Sequence, residues 1–353
     1  MSNVLQFNFH NIVGLRIITD DPQASEFFSA EYKFAQRGVP DNLPYVELQW
    51  KHAGFPLPVG PGYKFKVHKV LARWFYKVSI SDQVISIDCI GNRWALPMVH
   101  HMLVHHSLRY LASLRGFLLL HAAAVVYQGQ SLILTGPGGR GKTTTSSLIL
   151  ATADLNWQLH ADDYVFLGER ASFSYATRSH LYLDLLQWLP KLWNSLSIGE
   201  RIRLLFLGKL RLFTHDGIKW PVRIEADRLW IERTLSTNAS PAALVLLRRV
   251  DYGNTQVVPL HREDSPVKLL LEMNFEEASR FIRLLSATLP SDQLSGLVES
   301  WKHREEELLA GICESVPVRW LDLPRTPANE STYGETLTEA LLPLFRNEGK
   351  TYC

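Results

Sequence analysis

The stretch His121–Leu167 constrains this chain more than any other part of it. Within it, Gly136–Thr143 reads G-P-G-G-R-G-K-T and fits the pattern G-x-x-x-x-G-K-[ST]. Ser131–Thr135 just before it is apolar and β-favouring, and Thr144–Ala153 just after it carries leucine and isoleucine at helical spacing. Strand, glycine loop and helix in that order form the setting in which such a loop cradles phosphate. Gly138, Gly139 and Gly141 let consecutive N–H groups turn inward at the positive end of the following helix, with Gly136 and Arg140 completing the loop. The pattern gives Lys142 a place at the β- and γ-phosphates and the Thr143 hydroxyl a place on Mg²⁺, with Thr144 next in line. ATP and Mg²⁺ are therefore the expected cofactors.

At 353 residues with 46% hydrophobic content, the chain has room for two domains with substantial cores. A net charge of +2 implies no general affinity for nucleic acid or acidic membranes. Cys89, Cys313 and Cys353 are odd in number and far apart, which argues against a disulfide framework or a zinc site. Met1–His10 has neither a basic flank nor an apolar core, and no run of about eighteen apolar residues occurs. The expectation is a soluble, cytoplasmic protein with neither nucleic acid nor membrane as a partner.

Before the loop, residues 1–92 read as a β-rich accessory domain. Val13–Thr19, Tyr45–Trp50, Tyr63–Val70 and Trp74–Ile90 supply strands, with Pro40–Pro44 and Pro56–Gly62 as turns. A connecting helix follows over 93–116, built on Val99, Met102, Leu103, Leu108 and Leu111. It carries His100, His101, His105 and His106. The i,i+4 spacing of His101 and His105 could chelate a metal, but no third ligand is evident and packed or solvated histidines are the better reading. Phe117–Tyr127 and Gln130–Thr135 meet at Gln128-Gly129, so the strand entering the loop has an antiparallel neighbour, which carries His121.

The main domain is expected over 117–325, with a C-terminal helical tail over 326–353. Asp162-Asp163 precedes the apolar run Tyr164–Leu167 and lies 20 residues after Lys142. A conventional acidic residue for such loops follows its strand instead. Ala171–Thr177 reads as a hairpin partner, and His180–Leu207 as helical. Arg201–Arg223 holds six basic residues and one acid, Asp216, and reads as a solvated face; Lys219 could return toward the loop. Ala242–Val250 and Gln256–Leu260 read as a hairpin around Tyr252-Gly253-Asn254. Helices are expected at Val267–Leu289 and Asp292–Glu314, with Glu305–Glu307 on a solvated face. Val316–Leu321 reads as a last strand and Glu335–Phe345 as a terminal helix.

Two adjacent carboxylates at a strand start can divide the tasks of phosphoryl transfer. One sits near Mg²⁺ or its waters, and one faces the acceptor hydroxyl as base. Neighbours on a strand point to opposite faces, so Asp162 and Asp163 are not expected to share a role. Beside an aspartate, His121 could orient or tune the base; a satisfied buried histidine is the other reading.

His121-Ala122-Ala123, the glycine loop and L-H-A-D-D-Y-V-F-L resemble the core of the HPr kinase-like proteins, which share a fold with the ATP-dependent phosphoenolpyruvate carboxykinases. The resemblance implies an α/β fold with a mixed, hairpin-rich sheet, here preceded by the small β-rich N-terminal domain. It also implies nucleotide and Mg²⁺ on Lys142 and Thr143, a base within Asp162-Asp163, and self-association into a homo-oligomer. The chain departs from the bifunctional members, with Thr144 where they carry glutamate and no glycine in Ala171–Leu183. It looks closer to divergent kinases that act on serine in peptides of natural-product pathways, or on small molecules. In those an arginine near the nucleotide corresponds to Arg178.

The expected activity is an ATP- and Mg²⁺-dependent kinase with a hydroxyl-bearing peptide or small molecule as acceptor. Asp162, Asp163, His121 and Lys142 would be catalytic, and Thr143 with Asp162 would hold the metal. The alternative is a nucleotide-gated binding or scaffold protein without catalysis. A simple NTP hydrolase finds no recognisable arginine finger.

Overall fold

The computed structural model describes residues 2–53, 60–68, 71–81, 83–152, 156–215, 217, 220–230, 233–251, 253–261, 263–325 and 332–345. Lys219, Asp216, Tyr252, Cys353 and part of the Pro56–Gly62 segment, all singled out from the sequence, lie outside the described residues. The chain is mixed α/β and divides into two compact units. One comprises 1–119 and 270–309, the other 120–269 and 310–353.

In the first unit, seven strands form one mixed sheet. Asn3–Phe9 pairs antiparallel with Val13–Thr19, which runs parallel to Tyr45–His52, and that strand runs parallel to Val84–Gly91. Ala72–Ile80 and Lys64–His68 continue antiparallel to the edge. The parallel step from Val13–Thr19 to Tyr45–His52 needs a crossover, and helix Pro22–Glu31 supplies it. That helix went unread in the sequence although its start signal is plain. Asp21 caps the Gln23 N–H at 2.9 Å, and Pro22 opens the first turn. Strand Asn3–Phe9 also went unread.

The expected connecting helix runs without a break from Arg93 to Ser113, through a π turn at His100–Val104. In that turn the His105 N–H reaches back to the His100 carbonyl, so the i,i+4 relation of an ideal helix is displaced. His100, His105 and His106 are buried: His100 Nε2 lies 2.7 Å from the Tyr32 hydroxyl, and His106 stacks on Phe281. These are packed histidines. Among the described residues, no group of three or more His, Cys, Asp or Glu could hold a metal ion.

The unit boundaries depart from those read in the sequence. Helices Pro266–Leu285 and Ser291–Ser315 were assigned to the loop-bearing domain, yet residues 270–309 join the first unit. A buried ion network explains the attachment. Arg109 binds Glu305 through Nε at 2.7 Å and through Nη2, while donating Nη1–H to the Asn274 carbonyl. Trp301 Nε1 and Asn274 Nδ2 add bonds to the same carboxylate at 2.8 and 3.0 Å. The guanidinium lies over the Phe275 and Trp301 rings. Glu305 is therefore wholly buried, and the reading of Glu305–Glu307 as a solvated face fails at its first member.

In the second unit, strand Gln130–Thr135 is antiparallel to Ala122–Tyr127 on one side and parallel to Asn238–Val250 on the other. Gln128 and Gly129 both have positive φ, 51° and 78°, as a two-residue hairpin turn requires. Gln158–Ala161 joins Ala122–Tyr127, and Val165–Leu167 pairs with Ser172–Ser174. The expected hairpin over Ala242–Leu260 does not form. Val318–Pro324 lies between its two strands, parallel to Asn238–Val250 and antiparallel to Gln256–Pro259. Arg248 clamps Asp322 across that insertion at 2.7 and 3.1 Å, a side-chain pairing that local turn chemistry does not encode. His180–Leu207 is also mixed rather than helical throughout. Ser179–Leu181 is a strand paired with Val222–Ile224, followed by Leu185–Trp188 and the start of helix Ile198–Phe213. Among the described residues no helix is long and apolar enough to cross a membrane.

Removing one partner of a buried ion pair strands the other charge, so Glu305→Ala should cost about 3–5 kcal/mol of stability. Chemical denaturation measures this, and a loss below about 1 kcal/mol, the scale of an exposed pair, would contradict the assignment.

Candidate functional site

The glycine loop takes its shape from backbone that side chains resist. Gly136, Gly139 and Gly141 have φ of 155°, 78° and 98°. At Gly136 an added Cβ would lie 3.3 Å from the Leu247 carbonyl, and at Gly141 only 2.8 Å from the Arg249 guanidinium. Gly138 has an ordinary backbone and open space, so this conformation does not demand glycine there. Arg140 is exposed. Gly141 is the N-cap of helix Lys142–Ala151 and supplies no side-chain cap, so no cap side chain engages the first-turn N–H groups. Lys142 is buried and donates Nζ–H to the Gly136 carbonyl at 2.8 Å. At the other end of the helix, Arg233 binds the Leu150 and Thr152 carbonyls at 2.9 and 2.7 Å, answering the negative end of its dipole.

The hairpin brings the histidine and the acids to this loop. Thr135 is in register with Ala122, and its hydroxyl donates to the His121 carbonyl at 3.2 Å. The Ala122 N–H in turn donates to the Asp163 carbonyl at 3.0 Å. His121 Nε2 lies 3.1 Å from Asp163 Oδ1, and its ring stacks on Tyr164. The two aspartates face different partners. Asp162 Oδ2 accepts from the His180 N–H at 3.3 Å, whereas Asp163 Oδ2 lies 4.0 Å from His180 Nδ1. Arg223 Nε–H donates to His180 Nε2 at 3.2 Å, which leaves the proton of a neutral ring on Nδ1, toward Asp163.

Burial, and then the charge of Asp163, push the Asp162 carboxyl up to about 6. The His180 N–H and the Thr143 and Ser179 hydroxyls pull it the other way without prevailing. Thr143 thus sits beside Asp162. A hydroxyl and a carboxylate at the end of the loop are hard oxygen donors of the kind Mg²⁺ takes alongside phosphate oxygens and water. A divalent cation would also relieve the repulsion between the neighbouring carboxylates.

Of the residues singled out in the sequence, His121 meets Asp163 and Thr143 meets Asp162, while Lys142, next to Thr143, holds the Gly136 carbonyl. Thr144 is half-buried on the first turn of the helix. Arg178 donates to the Arg223 carbonyl at 2.8 Å, which ties it to the strand pair beside the acids. Three neighbours were missed: His180, Arg223 and Arg249. Arg249 had a legible signal, since it follows the apolar run Leu244–Leu247 at the carboxyl end of a strand parallel to the one entering the loop, where α/β sheets place ligands. His180 and Arg223 depend on the pairing of two short strands that carry no pattern of their own.

Set against known proteins, the chain matches no family model and no curated protein.

The raised Asp162 value has a sign. Its protonated form is favoured in the fold, so the stability it contributes is full below about 3.8 and is lost as pH rises through about 6. Asp162→Asn should therefore gain on the parent as pH rises from about 4 to 7, by on the order of 2–3 kcal/mol in all. Urea unfolding across that range checks it, and a difference that stays constant with pH would refute the burial of this charge.

Proposed function

We propose that the chain is an ATP- and Mg²⁺-dependent kinase that phosphorylates a serine-type hydroxyl on a peptide or small molecule. The observation that carries this reading is Asp162 beside Thr143 of the loop, with Asp163 next to it paired to His121. Mg²⁺, held by Thr143 and Asp162, would supply charge neutralisation at the terminal phosphates. Lys142, already buried at the loop, and Arg249, against Gly141, add fixed positive charge on the same side.

Asp163 takes the proton of the acceptor hydroxyl. His121 Nε2 orients one of its oxygens and leaves the other, 4.0 Å from His180 Nδ1, for the acceptor. Asp162, turned to the His180 N–H and beside Thr143, is left for the metal. The resemblance to HPr kinase-like proteins supports the same division and the same P-loop fold. A scaffold that binds nucleotide without chemistry has no need of a histidine-oriented second acid.

Incubation with γ-labelled ATP and a library of seryl peptides and alcohols tests the reading. Label should move to an acceptor with the wild type. Lys142→Ala should abolish transfer, and Asp163→Asn should lower kcat by about 10²–10⁴-fold while nucleotide still binds. Nucleotide binding with no transfer to any acceptor would favour the scaffold, and unchanged transfer by Asp163→Asn would remove the assigned base.

A further inference from the structure

A cavity of about 380 Å³ opens along the segment that follows His180, whose N–H binds Asp162, and no step described above uses it. Its walls come from the segment that follows His180 and from helix Ile198–Phe213. Leu183, Leu204, Leu207, Leu212 and Trp220 supply its apolar walls. The helix is set firmly. Ser197 and Glu200 form a reciprocal capping box, and Arg228 binds Glu200 through two nitrogens at 3.0 Å each. Leu204 and Leu207 bury the inner face of the helix, while Leu212 is 75% exposed at the cavity mouth.

Gly208 explains how the helix comes so close to the preceding segment. A Cβ there would meet Leu183 Cδ2 at 2.6 Å. Glycine inside a helix costs about 1 kcal/mol relative to alanine, so its presence calls for a packing reason, and close approach to Leu183 is one.

Tyr182 lines the cavity, two residues beyond His180. Burial first, then the charges of Asp163 and Asp184, push the Tyr182 phenol up to about 12. Asp184 and Arg211, also in the lining, pair with each other at 3.0 Å. That pair offers a donor and an acceptor side by side but little net charge. Tyr182, Gln187 and His215 add further polar groups to the lining, while the four leucines and Trp220 give it its apolar surface. Those walls favour burial of hydrocarbon.

We propose that this cavity receives a bulky apolar group carried beside the acceptor hydroxyl, so that the acceptor is a hydroxyl peptide with a large aliphatic or aromatic neighbour residue. The proposal rests on the kinase reading for the hydroxyl, but the cavity's preference can be measured without turnover.

Two probes suffice, acetyl-Ala-Phe-Ser-Phe-Ala-amide and acetyl-Ala-Ala-Ser-Ala-Ala-amide, titrated by calorimetry into the full chain with Mg²⁺ and a non-hydrolysable ATP analogue. The Phe peptide should bind about 10- to 100-fold more tightly, the return expected for burying one aromatic side chain. Leu212→Asp, at an exposed position that tolerates charge, should cut that preference by about fivefold or more by placing a carboxylate at the mouth. Ile202→Asp lies on the same helix, 63% exposed and outside the lining, and should leave the preference intact. Equal affinity for the two peptides, or a preference that survives Leu212→Asp, would overturn the proposal. An intact preference with no label transferred from ATP to either peptide would overturn the kinase reading instead and leave the cavity as an apolar ligand site.

Discussion

One backbone hydrogen bond, from the Ala122 N–H to the Asp163 carbonyl at 3.0 Å, holds the site's two halves in one place. Ala122 opens one strand of a hairpin whose other strand ends at Thr135, where the glycine loop begins. The turn at Gln128-Gly129 fixes the register of that hairpin, so His121 must sit opposite the loop's entry. The Ala122–Asp163 bond then fixes the acids against His121. A slip of one residue would turn every side chain of the hairpin to the other face and carry His121 away from Asp163.

Electrostatics within this frame separates the two aspartates. Burial raises Asp162 first, and the charge of the adjacent Asp163 raises it further. Asp163 answers with His121 at 3.1 Å, and Arg223 binds the ring of His180, whose Nδ1 stands 4.0 Å from Asp163. Lys142 and Arg249 then gather positive charge at the loop. The acids and the cations come from different strands, so the field at the site is a product of the sheet order rather than of any single motif.

Much of this was legible before the structure. The loop, the Gln128-Gly129 turn and the displacement of Asp162-Asp163 ahead of its strand are local signals, written in residues a few positions apart. The errors share a cause. Glu305 reads as one of three surface glutamates until Arg109, nearly 200 residues away, claims its charge. Gln256–Pro259 reads as the hairpin partner of Asn238–Val250 until Val318–Pro324 enters between them. His180 and Arg223 become neighbours only through a three-residue strand pair. Long-range pairing decides each case, and periodicity carries no record of it. Helix Pro22–Glu31 is different, because its Asp-Pro start was present in the sequence and was overlooked among β-favouring residues.

In the proposed kinase, the loop and the acid pair act on one bound metal–nucleotide. Pulsed electron paramagnetic resonance with Mn²⁺ replacing Mg²⁺ and ATP present tests it most directly. A ³¹P coupling from the nucleotide should appear in the wild type, with Mn²⁺ affinity at least about tenfold weaker in Asp162→Asn, in line with the loss of a charged ligand. Equal Mn²⁺ affinity in the two proteins, with the same ³¹P coupling, would mean that the loop binds its ion without the acids.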